Sequence, residues 1–327
     1  MIFPNISLFL QGKSQFAFKR FPTNSTIPRK LSNLTKRLKA LLSEILPAKE
    51  LSNVYNSYDI IGNIAIIRLK KETKKYAKRI AEALMSTHPN VKTVLAQTDG
   101  VSGEFRLRKL SHVAGEKKTS TIHRESECLF SVDVKKCYFS PRLLHERRRI
   151  AQQVKDGDLV VNMFAGVGCF SILIAKHAKP KKVYSIDVNP TAIEYMKENI
   201  RMNREFGKII PILGDAKKVI TENLRHKADR VLMPLPEKAL EYIPFALLAL
   251  KKRGGWIHYY GFEHAGKNQD PVEKAKLKVS KKIRKLGVPF AVSLGRVVRA
   301  TGPNWYQIAL DIKIPSASHF VDLDDAR

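Results

Sequence analysis

From residue 159 onward the chain alternates short apolar runs with stretches of helical period. The runs are LVVNMF (159–164), KKVYSIDV (181–188), KIIPIL (208–213), DRVLM (229–233) and GGWIHYY (254–260). Runs this short and this uniformly apolar predict strands covered on both faces, and segments such as Thr191 to Arg201 predict the helices that cover them. Strand and helix in alternation predict an α/β fold with a doubly wound, mostly parallel sheet. Near the end, VSLGRVVRA and NWYQIALDIKI, within Ala291 to Ile314, predict a hairpin at the sheet edge.

Upstream the pattern differs. Residues 1–30 are polar and broken by Pro4, Pro22 and Pro28, which predicts an irregular arm, and Leu31 to Leu46 (LSNLTKRLKALLSEIL) predicts a basic amphipathic helix packed on its own domain. Tyr58 to Leu69 predicts a strand with a turn at Gly62, and Glu72 to Met85 a helix. Val91 to Ala96, Phe105 to Leu110 and Cys128 to Val134 predict further strands. The expected organisation is a basic arm and helix over 1–49, a smaller α+β domain over 50–137, and the doubly wound domain over 138–327.

Charge narrows the class of partner. With 59 Lys and Arg against 30 Asp and Glu, the formal net charge is +29 in 327 residues. An excess of this size favours a polyanion, because each neutralised phosphate releases a condensed counterion. The three cysteines, Cys128, Cys137 and Cys169, form no CxxC pair. That argues against a disulfide scaffold or a zinc site and fits a reducing cytoplasm; no metal is expected. No apolar run reaches the roughly 18 residues that span a bilayer. The start, MIFPNISLFLQGK, lacks a basic leader and reads as a mature N-terminus. A cytoplasmic monomer is expected.

Four segments that follow strands carry the chemistry. Asn162 to Gly168 (NMFAGVG) places Phe164, Gly166 and Gly168 where a chain can approach a ligand before the next helix opens. A dinucleotide fingerprint would need a third glycine where this chain has Ser171, which argues against a dehydrogenase. Asp187, with Val188 after it, ends the second strand, where a carboxylate can accept both ribose hydroxyls of a nucleoside; Asn189 and Pro190 then suit a helix cap and first turn. Asp215 and Ala216 follow the third strand, where an acid suits an adenine amino group. Pro234-Leu235-Pro236 follows the fourth, and Pro234 and Pro236 would form a rigid wall beside the ligand. Methyl transfer from a sulfonium needs in-line alignment more than covalent help. The four segments in this order point to a class I, Rossmann-like methyltransferase domain.

The runs YFSPRLLHERRRIAQQVKDGDLVVNMFAGVGCFSI, GEFRLR, GEKKTSTIHRE, YSIDVNPTAIEYMKENIRMN and GGWIHYYGF resemble the archaeal and eukaryotic tRNA (guanine-37-N1)-methyltransferase family and its wyosine-pathway relatives, over roughly residues 55–312. The resemblance implies S-adenosylmethionine as cofactor and the anticodon stem-loop of tRNA with guanosine 37 as substrate. It implies that Glu146, in SPRLLHER, accepts the N1 proton, since that nitrogen is protonated at neutral pH. It implies that Arg106, in GEFRLR, stabilises charge developing on the base. Tyr138, Phe139 and Arg147 would lie near the cofactor or the target base, and Pro234 near the reacting centre. Two departures stand out. Asn162 replaces an acid usual in the family, weakening a bond near the methionine part of the cofactor. Pro234-Leu235-Pro236 replaces an Asn-led motif and resembles the archaeal subgroup associated with a second methylation, at C7 of the wyosine intermediate.

Other chemistries fit less well. A cytosine C5 enzyme needs a cysteine near the fourth strand end, and an exocyclic amino methylase a different Pro-Pro-aromatic motif. A non-catalytic RNA-binding module would have no need of Asp187, Asp215 and both glycines.

Overall fold

The computed structural model describes residue 38, residues 40–55 and residues 57–316. The expected arm over 1–30 lies outside the described residues. Of the expected helix over 31–46, residues 38 and 40–45 are described and helical, with Leu38, Leu42 and Leu46 buried.

The smaller half is a four-stranded sheet in the order β1-β2-β3-β4, with β1 (Asp59–Ile61), β2 (Ile64–Arg68), β3 (Thr93–Gln97) and β4 (Leu110–Gly115). Gly62 and Asn63 turn the antiparallel β1–β2 hairpin, as its glycine predicted. β2 and β3 run parallel, so a crossover is required; helix α1 (Ala77–Thr87) supplies it. It buries Ile80, Ala81 and Leu84 on Leu38, Leu42, Ile67 and Val94.

The expected strand over Phe105 to Leu110 is a correction. Residues 103–106 form a turn, closed by a bridge between Ser102 and Leu107, and the strand begins only at Leu110. Gly103 and Arg106 have φ of 74° and 54°, a left-handed backbone that no strand accommodates. A ribbon of β5 (Ser120–Glu125) and β6 (Cys128–Asp133) follows. Sequence pattern missed β5, whose side chains alternate irregularly between buried and exposed.

The larger half is a seven-stranded sheet. Its order is β12-β13-β11-β10-β7-β8-β9, for β7 (Leu159–Asn162), β8 (Lys182–Asp187), β9 (Ile209–Leu213), β10 (Arg230–Met233), β11 (Gly255–His264), β12 (Ala291–Gly302) and β13 (Trp305–Ile314). β9, β8, β7, β10 and β11 are parallel, and β13 and β12 are antiparallel at the edge, the hairpin the sequence predicted. The strand order reverses between β7 and β10, the switch point where open α/β sheets bind ligands. Helices α2 (Leu144–Gln153), α3 (Cys169–His177), α4 (Pro190–Asn203), α5 (Ile243–Ala249) and α6 (Pro271–Lys285) cover the sheet. Asn189 caps α4 by accepting from Thr191 N (3.0 Å) and Ala192 N, with Pro190 in the first turn.

The two halves share one continuous core. Ile61, Ile64 and Leu95 of the small sheet pack in the same cluster as Phe130 of the ribbon and Phe170, Ile172 and Leu173 of α3. Side chains on α4 complete the ribbon. Asn203 Oδ1 accepts from Leu129 N (2.8 Å) and Asn199 Oδ1 from Ser131 N (2.6 Å), while both amides donate back to the same residues' carbonyls. Two asparagines thus take the place of a third strand along β6. No described helix is long and apolar enough to cross a membrane.

Candidate active site

The cleft opens where β7, β8, β9 and β10 end. Gly166 and Gly168 both have left-handed φ, 55° and 89°. A Cβ at Gly168 would also come within 2.8 Å of Met196 Cγ, so this position fixes how closely α3 starts against α4. Asp187 pins the loop: its Oδ2 accepts from Gly166 N (2.6 Å) and its Oδ1 from Asn189 N (2.9 Å). Burial outweighs these backbone bonds and raises the Asp187 carboxyl above the usual range. A buried acid raised in this way gains most when hydroxyl donors reach its free lone pairs.

Asp215 caps the short helix that follows β9, accepting from Lys217 N (2.9 Å), and also accepts the Tyr242 hydroxyl (2.9 Å). Tyr242 lies edge-on to Phe164, with centroids 5.2 Å apart. Together Phe164, Val188, Ala216, Pro234, Leu235 and Tyr242 give the cleft an apolar lining, and Glu104, Asp187 and Asp215 carry its carboxylates. Asn162 ends β7, fully buried; its Nδ2 donates to Ser171 Oγ (3.1 Å) and its Oδ1 has no partner among the described residues. A nucleoside with an attached cationic amino acid fits this lining: apolar walls for a base, and carboxylates for hydroxyls and amino groups.

The smaller half roofs the cleft. Its 103–106 turn brings Glu104, Phe105 and Arg106 to the lining beside Tyr138. The Arg106 guanidinium lies over the Tyr138 ring (4.6 Å to the centroid), and its Nη2 is 2.8 Å from Glu237 Oε1, just beyond Pro236.

Nine of the fourteen residues singled out from the sequence line this cleft: Arg106, Tyr138, Phe164, Gly166, Asp187, Val188, Asp215, Ala216 and Pro234. Gly168 and Pro236, also expected to bind the cofactor, are not among the lining residues; Gly168 instead sits against Met196 and Ile172. Phe139 and Arg147 stand elsewhere. Phe139 is buried between His123 and Phe130, and Arg147 lies over its ring (5.5 Å) while pairing with Glu125 and donating to the Ser140 carbonyl. Both serve the packing of the ribbon against α2.

Glu146 is also outside the cleft lining, buried at the junction of α2 with β11. Its partners are Arg149 and Tyr260, whereas Arg142 pairs with Asp59 of β1. Pattern did not single out Tyr242, Arg149, Glu237 or Tyr260. Only Arg149, one helical turn from Glu146, carried a signal in its spacing. Burial pushes all three thiols up to about 12, so none supplies a thiolate near neutrality. Among the described residues no cluster of His, Cys, Asp or Glu could hold a metal.

Comparison with known proteins places these features in a family. Residues 121–288 match the TRM5/TYW2 methyltransferase domain, and residues 38–119 match the TYW2 N-terminal domain. The tRNA (guanine(37)-N(1))-methyltransferase Trm5b of Pyrococcus abyssi is 44% identical over 79% of this chain and 74% of that protein. The tRNA 4-demethylwyosine(37)-methyltransferase Taw21 of Saccharolobus solfataricus is 39% identical over 80% of this chain and 95% of that protein. Among solved structures, the complex of aTrm5 with tRNALeu superposes with a TM-score of 0.72 at 39% identity, over 86% of this chain and 78% of that one. TYW2 of P. horikoshii in complex with MeSAdo gives 0.70 at 27% identity, over 86% of this chain and the whole of that one.

Proposed function

Because this chain belongs to the TRM5/TYW2 methyltransferase family, we propose that it transfers a methyl group from S-adenosylmethionine to N1 of guanosine 37 in tRNA. One observation carries the reading: the cleft at the sheet's switch point is lined by Asp187, Asp215 and Arg106, and at the α2–β11 junction Oε2 of Glu146 accepts no hydrogen bond. The net charge of +29 supports a tRNA partner.

S-adenosylmethionine supplies a methyl group already activated on a sulfonium. Asp187 and Asp215 bind the cofactor's ribose and adenine ends, and Phe164, Val188, Ala216 and Tyr242 enclose its base. Pro234 and Pro236 hold the wall against which the target base aligns. Glu146 accepts the N1 proton, because the nitrogen lone pair is free to attack only once that proton leaves. Arg106, fixed over Tyr138, faces the negative charge that grows on the base as it does so. Phe139 and Arg147 act indirectly, by holding the ribbon to α2. The protein works as a monomer in the cytoplasm.

A second reading is methylation at C7 of the tricyclic wyosine intermediate at the same tRNA position. Pro234 favours it, since proline offers the base edge no side-chain amide, and a 39%-identical relative is named as a tRNA 4-demethylwyosine(37)-methyltransferase.

Labelled cofactor with unmodified tRNA transcripts tests both. Label recovered as N1-methylguanosine, and lost when position 37 is not guanosine, supports the first reading. Label taken up only by tRNA that already carries the intermediate replaces it with the second.

A further inference from the structure

Glu146 presents its two carboxylate oxygens to very different surroundings. Oε1 accepts the Tyr260 hydroxyl (2.9 Å), Arg149 Nε (2.8 Å) and Arg149 Nη2 (2.5 Å). Oε2 is buried with no hydrogen bond, and the guanidinium of Arg296 of β12 stands 3.8 Å away. Arg149 is itself held: Asp311 of β13 accepts from its Nη2 (3.0 Å) and from its Nη1. Asp311 also takes Gln153 Nε2 (2.9 Å) and pairs with His258 Nδ1 (2.8 Å).

We propose that Tyr260 is a positioning residue for methyl transfer: with Arg149 it saturates Oε1 of Glu146 and leaves Oε2 as the atom that takes the proton. This rests on the reading of Glu146 as the base. As the N1–H bond breaks, its proton moves to Oε2 and its electron pair stays on nitrogen to form the bond to the methyl group, whose bond to the sulfonium breaks with its pair left on sulfur as a neutral thioether. Glu146 becomes neutral, while Oε1 keeps its three donors and the carboxyl plane does not turn.

The surrounding charges make that step reversible between turnovers. A buried carboxylate is ordinarily driven toward the neutral acid, and hydrogen bonds to its charged form oppose the drive. Here Oε1 of Glu146 receives two donors on one guanidinium and one phenol. When Glu146 takes the proton, Arg149 loses a counter-charge; Asp311 remains, so no guanidinium is stranded in the interior. The groups facing Glu146 are thus Arg149 from its own helix, Tyr260 from β11, Arg296 from β12 and, through Arg149, Asp311 from β13. Burial and the neighbouring Glu146 push the Tyr260 phenol well above its ordinary range, so it stays a donor.

Single-turnover methyl transfer measured against pH with Tyr260→Phe tests the assignment. The ring, fully buried against Phe170 (5.9 Å), keeps its packing in this variant. Losing one donor to the carboxylate should move the acid limb of the rate profile up by about one pH unit and slow transfer about tenfold below it. The KM values for tRNA and cofactor should stay within about twofold of wild type. Asp311→Asn should move the limb the other way, because Arg149 then answers to Glu146 alone. An unshifted limb in Tyr260→Phe, or shifts of the same sign in both variants, overturns the proposal. Glu146→Gln run in parallel separates the two levels: wild-type turnover there removes the base itself, whereas lost turnover with an unmoved Tyr260→Phe profile removes only the positioning role.

Discussion

At the ends of β7, β8 and β9 the groups that face the cleft follow directly after strands, each set by its own short segment: a left-handed glycine, an aspartate pinned by backbone N–H groups, a cap. At the junction around α2 the working groups are buried charges whose partners lie far away along the chain. Arg149 meets Asp311, Tyr260 meets Glu146, and Arg147 meets Glu125. The first kind of site is made by local backbone geometry and the second by tertiary packing. A change in the first should therefore be felt in cofactor binding, and a change in the second in chemistry or in the fit of the two halves.

The largest expected effect breaks the junction at its centre. Glu146→Gln keeps the shape and loses the proton acceptor, so turnover should fall by roughly 10²–10⁴-fold with both binding constants near wild type. Rapid-quench methyl transfer with separate binding titrations checks it; a matching loss of cofactor affinity would move Glu146 into the cleft instead. Asp187→Ala attacks the other region. Two hydroxyl bonds to a carboxylate are removed and the Gly166 loop is unpinned, so the cofactor dissociation constant should rise about 100-fold or more by calorimetry. Affinity for tRNA should change little, and an equal loss of both would mean the two regions are not separable.

The same division explains what could be read from the chain. NMFAGVG, SID and GDA each carry their own geometry, so Gly166, Gly168, Asp187 and Asp215 were legible with the sheet around them. Tyr242 was not, because its partners Asp215 and Phe164 come from other loops and nothing in EYIPF marks the encounter. Arg147 was expected beside the cofactor from the resemblance alone, and its partner Glu125 lies on a strand too polar to predict. The Phe105 to Leu110 misreading has the same origin: FRLRKL alternates like a strand, but the left-handed backbone at Arg106 turns it into the roof of the cleft. That turn is what carries the guanidinium from the smaller half to the cleft.

Acidification should loosen the contact between the β1–β2 turn and the ribbon. His123 Nδ1 accepts the Gly62 N–H (3.1 Å), joining the β1–β2 turn to the ribbon, and this bond needs a neutral ring. Burial first, and then the Arg147 guanidinium, lower its pKa from 6.5 to about 4. The folded value lies below the unfolded one, so the unfolded chain binds the extra proton between them. The stability this group contributes is complete above pH 6.5 and is lost as pH falls from there toward 4, at roughly 1.4 kcal/mol per unit at most. Thermal melting across that window should show the slope, and His123→Gln should flatten it.

The smallest effect is the most discriminating, because it asks what holds Arg106 over the cleft. Two contacts compete for that role: the ion pair with Glu237 and the Tyr138 ring beneath the guanidinium. The Glu237 side chain is 48% exposed, which screens the pair and limits it to less than about 1 kcal/mol. Tyr138 is half-buried and set by the chain entering α2, so the ring is the firmer support. Glu237→Gln should then leave the melting temperature nearly unchanged and the methyl-transfer rate within about threefold of wild type. Tyr138→Leu should cost roughly tenfold, since a cation–ring contact in a partly desolvated site is worth about 1–2 kcal/mol. If Glu237→Gln proved the more damaging of the two, the arginine would be held by charge across the cleft mouth, and rates should fall with added salt in wild type but not in that variant.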